Sequence, residues 1–414
     1  MLEKIKYQHN QLYFDNVNLN DIVKNYETPI YVYSKSRIIE NYEDYNKSFK
    51  KYGINNYNIC YAIKSNENLS ILKLLVSLGS GADTVSGYEV EKAILAGFKA
   101  EKIVYSGVGK TERELEYVIS QGIGQINMES EAEFHSIRNI AHKLNKIANI
   151  SIRINPDINA HTHEKISTGK KENKFGITIE VANKIIEEAK KDNLLNFKGL
   201  SVHIGSQILN VNDFELTFQY LKKLYENYPE FTTIDLGGGL GIEYTENDKT
   251  PSHEEYVKLI SKYFKDTNLQ ILIEPGRSIV GDAGIFLSRI TYIKRTEINN
   301  FIILDGGMNN LLRPALYDAY HHPMLLNINS NEKETYNIVG PICESSDVFV
   351  KSIELNKAEQ GNYIAFLSAG AYGRSMASIY NLHDIAGEIM IDNGKIIEIR
   401  KPINFKDLLK FEEL

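Results

Sequence analysis

Between about residue 30 and residue 280 the chain alternates short apolar runs with longer amphipathic stretches. The short runs are YNICYAI (57–63), GADTV (81–85), KIVYSG (102–107), QINM (125–128), NISIRIN (149–155), KGLSVHI (198–204), TTIDLG (232–237) and LQILIEP (269–275). Their length and largely apolar character predict strands buried on both faces. Between them SILKLLVSLG (70–79), SGYEVEKAILAGF (86–98), ERELEYVISQG (112–122) and EVANKIIEEAKK (180–191) place apolar residues at helical spacing. Ser86 stands where an N-cap belongs, and Gly97 where a helix ends in left-handed backbone. Eight strands with helical crossovers over about 250 residues predict an α/β fold, a (β/α)8 TIM-type barrel. Periodicity alone leaves an open, doubly wound sheet as the alternative.

From about residue 285 the pattern changes to short β-rich runs: IFLSRITYIKR, NFIILDGG, ETYNIVGP, DVFVKSIEL, YIAFLSAGAYG and GEIMIDNGKIIEIRK. Asp392-Asn393-Gly394 is a hairpin turn signal. This predicts a C-terminal all-β domain, a sandwich or barrel, joined by the strand-like opening segments QLYFDNVNL and PIYVYS. The predicted division is residues 33–282 for the barrel, and 1–32 with 283–414 for the β-domain.

Composition narrows the function. Of 414 residues, 47 are Lys or Arg and 54 Asp or Glu, a net charge of −7, which argues against general nucleic-acid or anionic-membrane binding. The two cysteines, Cys60 and Cys343, make no metal-ligand or disulfide spacing. No run approaches the length of a membrane span, and MLEKIKYQHNQLYF lacks the apolar core of a signal peptide. The expectation is a cytoplasmic enzyme.

Candidate chemistry gathers just after predicted strands, where barrel enzymes assemble their sites. Lys64, in CYAIKSN, reads as a solvated strand end or as a Schiff-base lysine. Gly237, Gly238, Gly239 and Gly241, in IDLGGGLGI, read as a tight turn or as a phosphate cradle, with Ser206 of HIGSQ a second phosphate candidate. Glu274 and Arg277, in ILIEPGRS with Pro275 and Gly276, are either a capping ion pair or partners for a ring nitrogen and an anion. His203 is either structural or a flat face for a flat cofactor. Cys343 and Glu344, in GPICESSD, lie in a Gly-Pro loop where the thiol is a small hydrophobe or a proton donor. Tyr372 in AGAYGRSM offers a hydroxyl to a phosphate, and Arg313 with Tyr317 in RPALY suits a carboxylate. HTHE (161–164) lies in a long polar stretch that suits a mobile lid better than a metal site.

Taken in order, YAIKSN, HIGSQ, DLGGGLGI, EPGRS, CESSD and AGAYG resemble the alanine-racemase-like, fold-type III pyridoxal-phosphate decarboxylases. The resemblance runs from about Tyr33 to Tyr380. It implies a barrel plus a C-terminal β-domain, pyridoxal 5'-phosphate as cofactor, and a homodimer whose Cys343 loop reaches the partner's site. By that resemblance Lys64 joins the cofactor and His203 lies against its ring. Glu274 bonds the pyridine nitrogen, and Gly237, Gly238, Gly239, Ser206 and Tyr372 hold the phosphate, beside Pro275, Gly276 and Arg277. Arg277, Arg313, Tyr317, Glu344 and Tyr372 bind substrate, and Cys343 donates the proton. The resemblance implies meso-2,6-diaminopimelate going to L-lysine and CO2, and the carboxylate clamp and ammonium partner that its distal amino-acid head needs are jobs Arg313 and Glu344 suit by charge. Ornithine, arginine or carboxynorspermidine decarboxylation, and an inactive regulatory homologue, are the alternatives. An arginine at the ring nitrogen would mark a racemase, and Glu274 argues against one.

Overall fold

The computed structural model describes residues 4–156 and 174–413. The HTHE cluster and most of the polar stretch expected as a lid lie outside them. The chain divides into two compact units, Met1–Glu40 with Ile242–Asp248 and Ile279–Leu414, and Asn41–Gly241 with Lys249–Ser278.

The second unit is a closed barrel of eight parallel strands: Tyr57–Ala62, Gly81–Thr84, Ile103–Tyr105, Gln125–Met128, Ala148–Arg153, Leu195–Ser201, Thr233–Asp235 and Gln270–Ile273. Each coincides with one of the eight apolar runs. Closure comes from the pairing of the last strand with the first, Ile271 opposite Tyr57 and Ile273 opposite Ile59, which excludes the open-sheet alternative. The helices between strands are delimited by their own sequences. Ser86 caps Gly87–Ala96 by accepting from the Glu89 N–H, and Gly97 ends that helix at φ 102°. Thr111 and Glu114 form a capping box for Glu112–Gln121, as Ser252 and Glu255 do for His253–Phe264. Amphipathic helices Glu131–Leu144, Val211–Tyr225 and His253–Phe264 complete the surround, burying Phe134, Phe214, Phe218 and Phe264.

The first unit is built on a nine-stranded mixed sheet. Its main path runs Val348–Asn356, Lys333–Val339, Asn300–Leu304, Gly284–Arg295, Ile30–Ser34, Gly387–Asp392 and Lys395–Arg400, with Tyr363–Phe366 and Pro323–Leu325 branching from Gly284–Arg295. The N-terminal PIYVYS run lies inside this sheet, antiparallel to Gly284–Leu287 and parallel to Gly387–Ile391. QLYFDNVNL instead forms a small meander with Ile5–Gln8. Asn393 and Gly394, both at positive φ, make the expected hairpin. Leu12, Phe14, Leu19, Val32, Leu287, Leu326 and Ile389 share one core cluster. No helix among the described residues is long and apolar enough to cross a membrane.

Candidate active site

Lys64 follows the first barrel strand in a single 3-10 turn, Ile63–Ser65. That turn is pinned on both sides. The Ala62 N–H donates to the Pro275 carbonyl at 3.1 Å, the Ser65 hydroxyl donates to the Ala62 carbonyl at 2.8 Å, and the Asn66 N–H to the Ile63 carbonyl at 3.0 Å. A side chain at Gly276 would sit 3.0 Å from Ala62 Cβ and Ser65 Oγ, so that glycine lets the EPGRS loop lie against the lysine turn. The Lys64 Nζ is then 2.8 Å from Oδ2 of the fully buried Asp83.

Asp83 belongs to a carboxylate group inside the barrel. Asp235 accepts from the Asn127 side chain at 2.9 Å and from the Gly237 N–H at 3.0 Å. Glu274, at the end of the last strand, hydrogen-bonds to Asp235. Burial first, then the charges of Asp235 and Asp83, push Glu274 well above the usual carboxylate range. Burial also raises Asp235, against the hydrogen bonds it accepts. The pair therefore keeps a proton, carried by Glu274. The Glu274 Oε1 is buried and has no hydrogen-bond partner among the described residues.

His203 lies two residues past the sixth barrel strand. Its Nδ1 accepts from the Gly238 N–H at 3.3 Å, which leaves the ring proton on Nε2. Burial, with Arg153 and Lys64 nearby, drives its pKa well below the usual value, so the imidazole is neutral. Arg153 ends the fifth strand, contacts Glu129 at 3.3 Å and donates to the His203 carbonyl at 3.3 Å.

The glycine run is a close-approach turn. Gly237 and Gly239 have φ of 65° and 112°, and a Cβ on Gly237, Gly238 or Gly239 would lie 2.1–2.5 Å from a backbone carbonyl. Gly241 is equally enclosed, with Leu209 Cδ2 at 2.8 Å. Beside this turn the buried Arg277 donates to Ser206 Oγ at 3.1 Å. The residues fit pyridoxal phosphate. Inside the barrel are a lysine amine, a buried carboxyl oxygen without a hydrogen-bond partner among the described residues, and a neutral imidazole, and a side-chain-free turn with a cation provides the phosphate end.

The remaining predicted residues belong to the β-rich unit. Arg313 is buried, its Nη1 2.9 Å from His321 Nε2 and its guanidinium 4.8 Å over the Tyr244 ring. His321 donates through Nδ1 to the Leu367 carbonyl at 2.9 Å, so its Nε2 is free to accept from Arg313. Tyr317 lies four residues on, in the same short helix, Arg313–Tyr317. Cys343 is exposed and its N–H donates to Asn381 Oδ1 at 2.8 Å, while Glu344 accepts from the Tyr380 hydroxyl at 2.5 Å. Tyr372 adopts left-handed backbone at φ 56°.

Residues 35–281 match the family model described as pyridoxal-dependent decarboxylase, pyridoxal binding domain. The chain belongs to the pyridoxal-dependent decarboxylases. It is 40% identical over 405 residues to the diaminopimelate decarboxylase of Aquifex aeolicus, covering 97% of this chain and 95% of that one. To the Haemophilus influenzae diaminopimelate decarboxylase it is 38% identical, covering 98% of each. Among solved structures, the Helicobacter pylori diaminopimelate decarboxylase complexed with L-lysine superposes with a TM-score of 0.89 at 40% identity, over 95% of this chain and 98% of that one. The M. jannaschii enzyme in co-complex with L-lysine gives a TM-score of 0.94 at 35% identity, over 100% and 98%. This decarboxylase accordingly depends on pyridoxal 5'-phosphate, and its fold is the barrel and separate mixed sheet described above.

Sequence reasoning missed Asp83, Asp235, Arg153, Glu129 and His321. For Arg153 a signal existed, since a lone charge in the run NISIRIN has no solvent-facing place in a strand buried on both faces.

Proposed function

We propose that this chain decarboxylates meso-2,6-diaminopimelate to L-lysine and CO2, in the cytoplasm and as a homodimer with shared active sites. The observation that carries the reading is Lys64 held against buried Asp83 in the barrel that also encloses Glu274. When bound, the cofactor supplies an electrophilic aldehyde and a conjugated ring that takes up the electron pair of the breaking Cα–carboxylate bond.

The chain's own residues do the rest. Lys64 supplies the amine that holds the aldehyde. Glu274 holds the proton at the ring nitrogen, and neutral His203 offers a flat face to the ring. Gly237, Gly238, Gly239 and Ser206 hold the phosphate, with Tyr372 donating to it and Pro275, Gly276 and Arg277 closing that side. Arg277 and Tyr372 also face the reacting end of the substrate. Arg313 and Tyr317 clamp the distal carboxylate and Glu344 takes the distal ammonium. Cys343, or Lys64 in its place, returns a proton to Cα. In this reading residues 33–282 are the cofactor-binding barrel, and residues 1–32 with 283–414 are the β-domain. Two free thiols, Cys60 buried and Cys343 exposed, agree with a reducing compartment.

The deciding assay incubates the purified chain and cofactor with meso-diaminopimelate, ornithine and arginine separately. Lysine and CO2 from the first alone support the reading, and a diamine from either of the others overturns it. Arg313→Ala is expected to lower kcat/KM for diaminopimelate by about 2–4 kcal/mol of transition-state binding, the scale of truncating one side of a buried charge pair. An unchanged kcat/KM removes Arg313 from the site. For the dimer, mixing equal amounts of Lys64→Ala and Cys343→Ala subunits raises activity above the mean of the two variants alone, toward about a quarter of wild type, if sites are shared across a two-fold axis. No recovery means that each site lies within one chain.

A further inference from the structure

Between the strands Lys333–Val339 and Val348–Asn356 the chain makes the loop that carries Cys343 and Glu344. The loop closes through a 3.1 Å hydrogen bond from the Gly340 N–H to the Asp347 carbonyl. Within it the Glu344 N–H donates to the Ile342 carbonyl at 2.7 Å and the Asp347 N–H to the Glu344 carbonyl at 3.2 Å. Asp347 is only 3% exposed, and its carboxylate is held by backbone N–H groups. Its Oδ2 accepts from the Ile342 N–H at 2.7 Å, just before Cys343, and its Oδ1 accepts from the Met308 N–H at 2.7 Å.

Met308 lies in a second segment, the turn that leads into the Arg313 helix. There the Asn310 and Leu311 N–H groups both donate to the Gly307 carbonyl, at 2.9 and 3.1 Å. A side chain on Gly340 would meet Asp347 Oδ2 at 2.4 Å and Gly307 Cα at 2.5 Å, and one on Gly307 would meet Asp347 Oδ2 at 2.9 Å. The two glycines thus clear the space this carboxylate occupies. A buried, acceptor-only group that takes one N–H from each of two loops holds both in a single register.

We propose that Asp347 is a positioning residue for substrate recognition. Its carboxylate clamps the Cys343–Glu344 loop to the turn before Arg313, and so fixes the register in which that loop presents the thiol and the ammonium partner. The inference rests on the substrate roles given above for those three residues, but the clamp itself has a test that does not.

Asp347→Asn keeps the shape and turns one oxygen into a donor facing a backbone N–H, while Gly340→Ala keeps the carboxylate and displaces it. In the full-length enzyme, each is expected to fold and load cofactor as the wild type does. Each is expected to raise the KM for meso-diaminopimelate and the inhibition constant of L-lysine in parallel, by about tenfold or more. L-Lysine is the probe because it keeps the distal amino-acid head. Separately, labelling of Cys343 by a neutral maleimide should accelerate by about threefold or more in both variants as the loop loosens. Buried Cys60 reacts too slowly to interfere. A folded, loaded variant whose KM, inhibition constant and labelling rate all match wild type overturns the proposal. So does loss of folding in both variants, which makes Asp347 a scaffold residue. Faster labelling in the variants, beside a wild-type enzyme that does not turn over diaminopimelate, keeps the clamp and overturns the functional reading instead.

Discussion

Lys64→Ala abolishes the borohydride-reducible link between chain and cofactor and lowers turnover on the order of 10⁴-fold or more, the scale of losing a covalent catalytic group. The expectation follows from where the amine is held. Its turn is fixed by hydrogen bonds to Pro275 and Ala62, and its Nζ is aimed at Asp83 in the interior of the barrel. The same substitution strands a carboxylate, because Asp83 is fully buried and has Asp235 and Glu274 for neighbours. Removing one partner of a fully buried pair costs about 3–5 kcal/mol. Lys64 is 34% exposed, so water reaches the vacated position and the loss should be nearer 1–2 kcal/mol. Lys64→Arg separates the two effects: it keeps a cation for Asp83 and restores the melting temperature, but forms no reducible link. Peptide mass spectrometry after borohydride reduction reads the first effect and thermal melts the second. A cofactor adduct persisting in Lys64→Ala would remove Lys64 from its role.

How much of this was visible in the sequence depends on what each residue answers to. The barrel strands were legible because burial on both faces leaves a near-continuous apolar run, and all eight coincide with observed strands. The glycine run after Asp235 was legible because its backbone passes within van der Waals distance of neighbouring carbonyls, a constraint only glycine satisfies. The inward-facing polar group was not legible. Gln125 and Asn127 share one strand, with Gln125 Nε2 2.8 Å from Asn127 Oδ1, and meet Asp235 of another strand only when the barrel closes, with Asn127 Nδ2 2.9 Å from Asp235. In QINM and TTIDLG they look like breaks in an apolar pattern rather than parts of a site. His321 and Asp347 were invisible for a related reason: each acts on a residue or backbone group that turns and strands bring near, and neither carries a motif of its own. Helices Val211–Tyr225 and His253–Phe264 did carry a periodic signal, which the strand-centred reading passed over.

Glu274→Gln is the second large effect, and it works in opposite directions on activity and stability. The amide has the size of the carboxyl and can still donate to Asp235, so the barrel should fold unchanged. What it cannot do is carry the negative charge that keeps a pyridine nitrogen protonated. Loss of one preorganised electrostatic partner of this kind typically costs roughly 100- to 1,000-fold in kcat, and kcat should fall by that order with little change in KM. In the cofactor-free chain the substitution should stabilise. The folded-state pKa of Glu274 is raised, by burial first and then by Asp235 and Asp83. As pH climbs past the ordinary glutamate range, the unfolded chain releases this proton while the folded chain retains it. Stability therefore falls with rising pH until the raised folded value is passed, and stays lowered above it. Glutamine has no such proton, so Glu274→Gln should melt higher than wild type at neutral pH, with the gap closing toward pH values below the ordinary glutamate range. Cofactor-free melts across pH, set beside steady-state kinetics of the loaded enzyme, measure both signs. A variant that keeps wild-type kcat, or that melts lower than wild type at neutral pH, contradicts a buried, proton-retaining Glu274 as the partner of the ring nitrogen.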